Sequence, residues 1–297
     1  MKLNRKILIV GFGDVGARLA AMLTNRYRVL ALVRKSDRAD LARSLGVIPV
    51  FGDLDDPHSL RRLAGLADII CHFAPPPLRG TEDSRTRHLL VALHQNRAAM
   101  LPQRLVYIST TGVYGDCDGD WIDETRNVQP STDRAIRRVH AENLLRQWGI
   151  RSSVKISILR APGIYAADRL PIDRLQKGTP ALVEADDVFT NHIHADDLAR
   201  AALVAITRAL PNRVYNVVDD SDMKMGDYFD MVADHFKLAR APRVSRETAA
   251  TVISAPMLSF MSESRRIGNQ RLKHELRFRF NYPTVADLLR EIASPDC

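Results

Sequence analysis

Short apolar runs alternate with amphipathic segments along the first 160 residues of the chain. The run KILIV at 6–10 ends at a glycine and predicts a fully buried strand. The segment DVGARLAAMLTN that follows has apolar residues at helical spacing and predicts a helix. Six strand–helix units of this kind predict a Rossmann-type, doubly wound α/β fold with a parallel sheet. The remaining predicted strands lie at 27–33, 47–52, 67–74, 104–110 and 152–160, and the remaining helices at 36–46, from Pro57, at 82–98 and at 133–148.

The regular alternation loosens after Arg160. The segment APGIYAADRLP, one or two helices and the apolar run RVYNVVD precede an Arg-rich stretch near the C-terminus. We therefore predict a Rossmann domain at 1–160 and a smaller substrate-binding lobe at 161–297. Because RVYNVVD has the pattern of a buried strand, we expect part of this lobe to return to the sheet.

The composition is that of a soluble globular protein. Of the 297 residues, 45% are hydrophobic and 26% are charged, and the net charge is +8. The excess of basic residues is spread along the chain, without a basic tail or an aromatic platform, so we expect a solvated basic surface and no nucleic-acid partner. The apolar run near the N-terminus is too short for a signal peptide, and no run approaches the roughly 18 apolar residues of a membrane span.

The cysteines Cys71, Cys117 and Cys297 are far apart and have neither a disulfide framework nor metal-ligand spacing. Such isolated cysteines are typical of a reducing compartment. Together with the absence of targeting and membrane signals, they predict a cytoplasmic protein.

The motif GFGDVG connects the first predicted strand to the first predicted helix. In that context Gly11 allows a tight turn, Gly13 allows a pyrophosphate to approach the backbone, and Gly16 allows the helix to pack closely on the strand. The N–H groups at the start of the helix then face the phosphates. The predicted phosphate site comprises Gly11, Phe12, Gly13, Asp14, Val15 and Gly16.

The end of the second strand indicates which dinucleotide is bound. An acidic residue there would bind the ribose 2′-OH of NAD, whereas a basic residue would accommodate the 2′-phosphate of NADP. The sequence LVRKSDR has Arg34 and Lys35 at this point, and Asp37 follows at a position suited to a helix cap. We therefore predict NADP(H) in preference to NAD(H), although a solvated basic turn would have the same sequence.

Two further strand ends supply cofactor contacts. Asp53 and Leu54 follow the third strand and could meet the edge and the face of the adenine. Ala74, Pro75 and Pro76 follow the fourth strand, where the prolines form a stiff wall beside the cofactor.

Several motifs, spread nearly from end to end, resemble those of an extended short-chain dehydrogenase/reductase of the NAD-dependent epimerase/dehydratase group. They are GFGDVG, GDLDD, YISTTGVYGD at 107–116, RAPGIYAADRLP at 160–171, HIHADDLARA at 192–201 and VYNVVDD at 214–220. The resemblance implies that Thr110, at the end of the fifth strand, is the catalytic hydroxyl, and that Pro162 and Ile164 contact the cofactor. The alternative for Thr110 is a strand-end hydroxyl that only satisfies local backbone.

The chain departs from this family at its Tyr-x-x-x-Lys pair and is in that respect atypical. Alignment on Glu142 places Arg138 at the lysine and Arg134 at the tyrosine. Arg138 could hold the nicotinamide ribose, as the family lysine does. Arg134 cannot serve as a general acid, because a guanidinium does not release its proton near neutrality, but it could hold an anionic substrate or stabilise an oxyanion. Tyr114, close to Thr110, is then the first candidate for a relocated proton donor.

Two functions follow from these features. One is an NADP(H)-dependent oxidoreductase or epimerase-like enzyme that acts on a small polar, anionic or sugar-nucleotide-like substrate. The other is a regulatory or sensor protein that binds NADP(H) without catalysis. His192 and His194 alternate as on a strand and need no metal in the family, so no metal is predicted. The resemblance also implies a homodimer, for which the helices at 82–98 and 133–148 are available.

Overall fold

The computed structural model describes residues 5–95 and 99–292. Within these ranges the chain forms a central parallel sheet, helices on both of its faces, and an additional lobe built largely from the C-terminal part. The end of the helix predicted at 82–98 and the cysteine Cys297 lie outside the described residues.

Seven parallel strands form the central sheet, in the order β3-β2-β1-β4-β5-β6-β7. The strand order reverses between β1 and β4, and in such sheets ligands bind beyond the strand ends at this reversal. The strands are β1 Lys6–Val10, β2 Arg28–Val33, β3 Ile48–Phe51, β4 Ile69–His72, β5 Arg104–Thr110, β6 Lys155–Ala161 and β7 Arg213–Asn216.

Helices cover both faces of the sheet. Ile9 on one face packs in the same core as Leu19 and Ala202, whereas Leu8 on the other face packs with Leu89 and Leu145. This arrangement confirms the predicted doubly wound α/β fold. The α-helices of the described residues are α1 Asp14–Leu23, α2 Ser36–Ser44, α3 Ser84–His94, α4 Asp133–Ser152, α5 Ile172–Gln176, α6 Ala195–Arg208, α7 Met225–His235, α8 Arg246–Val252, α9 Ala255–Leu258, α10 Gln270–Leu276 and α11 Val285–Glu291.

Three 3₁₀ helices and four pairs of short strands complete the description. The helix predicted from Pro57 is a 3₁₀ helix rather than an α-helix, and its first turn is capped by the side chain of Asp56. The 3₁₀ helices are Pro57–Leu63, Thr111–Tyr114 and Ala167–Arg169. The strand pairs are Gly163–Tyr165 with His192–His194, Phe189–Thr190 with Met223–Lys224, Ala181–Leu182 with Arg243–Val244, and Trp121–Ile122 with Arg266–Ile267.

The C-terminal part of the chain contributes both to the sheet and to a core of its own. It adds β7 at the sheet edge and α6 on the same face as α1. A separate cluster, which includes Tyr165, Phe229, Val232 and Leu288, holds α7 and α11 together. No helix in the described ranges is both long and apolar enough to span a membrane.

Candidate active site

The turn between β1 and α1 depends on its glycines for two different reasons. Gly11 has φ +95°, and a Cβ there would lie 2.3 Å from the backbone N of Ala74. A Cβ on Gly16 would lie 2.8 Å from the carbonyl oxygen of Gly11. A Cβ on Gly13, by contrast, would meet nothing within 4 Å. Backbone packing therefore requires Gly11 and Gly16, whereas Gly13 leaves open space over the helix N-terminus, and this cradle fits the pyrophosphate of a dinucleotide.

A cleft of about 410 Å³ opens beside this turn, along the C-terminal ends of β1, β2, β3 and β4. Nine of the predicted cofactor residues line it, and Leu32, Val33, Gly52 and Phe73 complete its apolar and backbone surface. The nine are Gly11, Phe12, Gly13, Arg34, Lys35, Asp53, Leu54, Ala74 and Pro75. The side chain of Phe12 is buried in the core, so this residue offers mainly its backbone to the cleft.

Basic side chains collect at the end of β2. Arg34 lies 3.7 Å from the carboxylate of Asp53, measured from Nη1 to Oδ2. Lys35 and Arg38 also line the cleft, and neither forms an ion pair or a side-chain hydrogen bond within the described residues. Sequence reasoning missed Arg38, although its position four residues after Arg34, on the first turn of α2, was a readable signal. The cleft therefore has cations that are available to an anionic ligand.

Asp37 does not cap α2 as predicted. The N-cap position of α2 is occupied by Lys35, without a side-chain cap, and the helix begins at Ser36. Asp37 lies in the first turn, where its charge favours the helix dipole, and it lines the cleft.

Arg85, from the first turn of α3, also reaches the cleft and was not predicted. Its Nε and Nη2 donate to the two carboxylate oxygens of Asp55 at 2.8 and 2.6 Å, and its Nη1 donates to the carbonyls of Pro75 and Pro76 at 3.1 and 3.3 Å. The hydrogen bond from Arg85 lowers the pKa of Asp55. The guanidinium of Arg85 thus links the carboxylate of Asp55 to the backbone carbonyls of the two prolines. Because Arg85 and Asp55 are 30 residues apart, the local sequence around either residue does not predict their contact.

Four further predicted residues are not among the described residues that line this cleft, namely Asp14, Val15, Gly16 and Pro76. The carboxylate of Asp14 pairs with Arg18 at 2.9 Å and with Arg169 at 3.1 Å. The side chain of Asp14 thus connects the phosphate turn to the C-terminal lobe, and only its backbone is available to a ligand.

Thr110 ends β5 and begins the turn that follows. Its Oγ1 accepts a hydrogen bond from the N–H of Gly112 at 3.2 Å, and its side chain caps the 3₁₀ helix Thr111–Tyr114. Thr110 therefore has the role given above as its alternative, a strand-end hydroxyl that satisfies the local backbone. Because the bond uses a lone pair, the hydroxyl hydrogen of Thr110 remains available to a ligand.

Tyr114, the proposed proton donor, faces inward. It is 1% exposed, and its hydroxyl donates to Oδ1 of Asn216 at 2.7 Å. The guanidinium of Arg160 lies 4.7 Å from its ring centroid. Burial raises the pKa of the phenol. A buried, hydrogen-bonded and less acidic phenol does not fit the predicted role of Tyr114, which is better described as part of the core.

Arg138 lies against the C-terminal end of β5. Its Nη1 donates to the hydroxyl of Tyr107 at 2.9 Å and to the carbonyl of Ile108 at 2.8 Å. Tyr107 is fully buried, and burial raises its pKa to about 12, so it remains a neutral acceptor. The ring centroid of His72 lies 5.2 Å from that of Tyr107. Nε2 of His72 forms a hydrogen bond of 2.9 Å with the hydroxyl of Thr86. Sequence reasoning missed this support for Arg138.

Arg134 lies one helical turn before Arg138 on the same helix, and it is exposed. Its guanidinium lies 4.3 Å from the ring centroid of Phe260. Partial burial lowers the pKa of Arg134. The nearby charge of Glu263 opposes this shift, and repulsion from the neighbouring Arg138, Arg137 and Arg265 adds to it. The arginine stays charged at neutral pH.

Pro162 and Ile164 follow β6 and are half-buried. Ile164 pairs with Ile193 in the short parallel pair that contains His192 and His194. Both histidines are buried. No group of three or more His, Cys, Asp or Glu side chains in the described parts of the chain is arranged to hold a metal ion. Contacts of Pro162 and Ile164 with a cofactor remain predictions.

A parallel sheet with a glycine turn at its topological switch point, and a cleft along the adjoining strand ends, defines a dinucleotide-binding α/β protein. The model of the NAD dependent epimerase/dehydratase family matches residues 7–217. The chain belongs to this family, which confirms the resemblance read from its motifs.

Known relatives and solved structures agree with this assignment. The chain is 25% identical over 253 residues to human dTDP-D-glucose 4,6-dehydratase, covering 75% of this chain and 71% of that protein. It is 25% identical over 251 residues to GDP-6-deoxy-D-mannose reductase of Pseudomonas aeruginosa, covering 78% and 80%. A solved structure of a functionally unknown conserved protein from Silicibacter pomeroyi matches with a TM-score of 0.77 and 26% identity, covering 97% of both chains. Membership of an NAD-dependent epimerase and dehydratase family supports an oxidoreductase- or epimerase-like enzyme.

Proposed function

We propose that the protein is an NADP(H)-dependent oxidoreductase or epimerase-like enzyme that acts on a small polar or sugar-nucleotide-like substrate. The observation that carries the proposal is the pair of uncommitted cations, Lys35 and Arg38, beside Arg34 at the end of β2. The family is named for NAD, so the preference for the phosphorylated cofactor is specific to this chain's residues.

The charges of the side chains that line the cleft favour binding of the 2′-phosphate of NADP(H). Four cations line it, Arg34, Lys35, Arg38 and Arg85, against the two lining carboxylates of Asp37 and Asp53. Asp55 neutralises Arg85, and Asp53 lies near Arg34, whereas Lys35 and Arg38 form no ion pair among the described residues, with Asp37 as the remaining lining carboxylate. A phosphate would supply that charge, and an arginine can bind it through two parallel hydrogen bonds.

The chain's own residues have distinct roles in this proposal. The bound dinucleotide would supply or accept the hydride. Arg138, held at the end of β5, would donate to the nicotinamide ribose, and Pro162 and Ile164 would flank the same part of the cofactor. Thr110 would direct its hydroxyl hydrogen to the substrate oxygen. With Tyr114 buried, the proton is exchanged with water rather than with that phenol.

Calorimetry tests the cofactor preference. Wild-type protein should bind NADPH at least tenfold more tightly than NADH, since charge-assisted hydrogen bonds to a phosphate contribute about 1.5–3 kcal/mol. The double variant Lys35→Gln/Arg38→Gln should lose most of this difference while its affinity for NADH stays unchanged. Arg43→Gln, on the same helix and paired with Asp40 away from the cleft, is the matched control. Equal affinities of the wild type for the two coenzymes would overturn the preference.

Turnover tests the reaction. NADPH oxidation should be followed at 340 nm with sugar-nucleotide ketones and small polar aldehydes and ketones. Thr110→Ala should lower kcat roughly a hundredfold, because one polarising hydrogen bond in the transition state contributes about 2.7–4 kcal/mol. NADPH affinity should change little in this variant.

A second candidate function is a regulatory or sensor protein that binds NADP(H) without catalysis. The observation that favours it is the burial of Tyr114 together with the permanent cation Arg134 on α4. It predicts tight NADPH binding and no turnover with any substrate of the panel. Turnover that depends on Thr110 would exclude it.

A cytoplasmic location and a homodimer remain predictions. The helices proposed for the dimer, α3 and α4, lie side by side, where Trp148 donates to His94 at 2.8 Å. Their outer surface exposes Val91 and Ile150. Light scattering after gel filtration would give the mass in solution.

A further inference from the structure

Guanidinium groups from two distant segments converge on the turn that follows β5. Arg134 and Arg138 come from the first half of α4, which packs against this turn so closely that a Cβ on Gly112 would lie 3.9 Å from that of Ala135. Arg265 comes from the segment before Arg266–Ile267, and its Nη1 donates to the carbonyl of Gly115 at 2.6 Å. Three cations thus surround the turn that begins at Thr110.

The carboxylates near these cations already have partners. Glu263 accepts from Arg265 Nη1 at 2.7 Å and from the hydroxyl of Ser131. Asp116 accepts from the backbone N–H of Ser264 at 2.7 Å. Arg134 forms no ion pair within the described residues, and its close neighbour is the ring of Phe260. The side chains named around the turn thus comprise three guanidinium groups and two carboxylates.

A buried donor in this cluster also has no acceptor among the described residues. The Nε of Arg265 is inaccessible to solvent and makes no hydrogen bond within them, and its side chain is only 12% exposed. A buried donor without a partner destabilises a protein by about 1–3 kcal/mol, so an oxyanion that reached it would bind favourably. Phe260 is 53% exposed, and Arg134, whose guanidinium stacks on its ring, is also exposed.

We propose that the substrate carries a carboxylate or phosphate group, and that Arg134 and Arg265 bind this group between α4 and the segment at 260–265. The inference rests on the proposed function for the reaction and adds the class of substrate. The guanidinium of Arg134 leaves its stacked position on Phe260 and receives the anion through paired hydrogen bonds. Because Arg134 lies one turn from Arg138 and beside the turn of Thr110, the anionic group lies close to the reacting carbon. The substrate is therefore a carbonyl compound or alcohol with a nearby acidic group.

Anion binding can be measured without turnover. Calorimetry with malonate, inorganic phosphate and the neutral isostere malonamide should be run on protein saturated with NADP⁺, so that the dinucleotide occupies the phosphate turn. Malonate or phosphate should bind, and malonamide should not. Arg134→Gln should weaken anion binding at least tenfold, and Arg134→Lys should be intermediate, since lysine keeps the charge and loses the paired geometry.

The controls separate this site from the cofactor cleft. Arg151→Gln, an exposed arginine at the end of the same helix, should bind anions as the wild type does. Arg43→Gln, an exposed arginine of α2 that pairs with Asp40 outside the cofactor cleft, should also leave anion binding unchanged. Arg265→Gln loses a bond to Gly115 and could unfold the turn, so the Arg134 variants alone decide the result.

The outcomes are distinct. Binding of malonate alone assigns a carboxylate substrate, and binding of phosphate alone assigns a phosphorylated one. No binding of either anion, or equal binding to Arg134→Gln and wild type, would overturn the proposal. If the protein fails to bind NADPH yet still binds malonate through Arg134, the proposed cofactor is wrong while the anion site stands.

Discussion

The two ends of the candidate site are built in different ways. At the cofactor end, the phosphate turn, the end of β2 and the proline wall are each continuous in sequence, and nine predicted residues line one cleft. At the reaction end, Arg138 contacts Tyr107 across 31 residues, and Tyr114 contacts Asn216 across 102. Arg134 reaches a ring that lies still farther along the chain, Phe260.

The two ends also differ in what forms them, which is backbone at the phosphate turn and side chains at the reaction end. A phosphate turn is made of backbone, so few sequences can form it, and its glycines are fixed by contacts of 2.3 and 2.8 Å. The reaction end is made of side chains from α4, β5 and the C-terminal segment, which come together only when the chain folds.

The largest expected effect concerns the glycines of the phosphate turn. Gly11→Ala should destabilise the protein by roughly 3 kcal/mol, the sum of left-handed backbone strain and the clash with Ala74. Gly13→Ala should cost less than about 1 kcal/mol, because its Cβ points into open space. Yet Gly13→Ala should weaken NADP⁺ binding more than tenfold. Urea unfolding and calorimetry measure the two quantities.

Together, Gly11→Ala and Gly13→Ala test whether different glycines of the turn serve backbone packing and phosphate binding. If Gly13→Ala bound NADP⁺ as the wild type does, the open space over Gly13 would not be where the phosphates lie. If Gly11→Ala were as stable as the wild type, the contact with Ala74 would not constrain the turn.

The cofactor end was largely predictable from the sequence. β1, GFGDVG and α1 are consecutive, and the spacing of the glycines carries the geometry. Arg85 was not predictable, because its place beside Asp55 depends on how α3 packs on the sheet. Asp37 was assigned as a cap from its position alone, but helix α2 starts with no side-chain cap.

The reaction end was predictable only in part. The family resemblance implies a catalytic hydroxyl at Thr110, and the link of Thr110 to Gly112 is local. The nearness of Tyr114 to Thr110 in sequence predicts a proton donor, but one 3₁₀ turn directs this side chain away from the solvent toward Asn216. Sequence proximity does not give the direction of a side chain.

A smaller effect is expected from Tyr114→Phe. The change removes a buried hydrogen bond and leaves Oδ1 of Asn216 without its partner, so the protein should lose about 1–2 kcal/mol of stability. NADPH affinity and turnover should stay within about twofold of wild type, because the phenol does not face the cleft. A hundredfold loss of turnover in a fully stable variant would restore Tyr114 as the proton donor.

The smallest effect should come from Tyr107→Phe, which removes one of the two acceptors that hold Arg138. Arg138 keeps the carbonyl of Ile108 but gains rotational freedom, so NADP⁺ affinity should fall about three- to fivefold, which corresponds to a little under 1 kcal/mol. Tyr215→Phe is the matched control, since Tyr215 is equally buried and its hydroxyl accepts from Leu210 at the far edge of the sheet.

The control separates positioning from packing. Both tyrosine variants should lose similar stability, but only Tyr107→Phe should lose NADP⁺ affinity. In Tyr107→Phe/Arg138→Gln the loss of affinity should equal that of Arg138→Gln alone, because the tyrosine acts only through the arginine. Additive losses would mean that Tyr107 acts on the cleft through β5 itself, and the reaction end would then depend on the sheet as strongly as the cofactor end does.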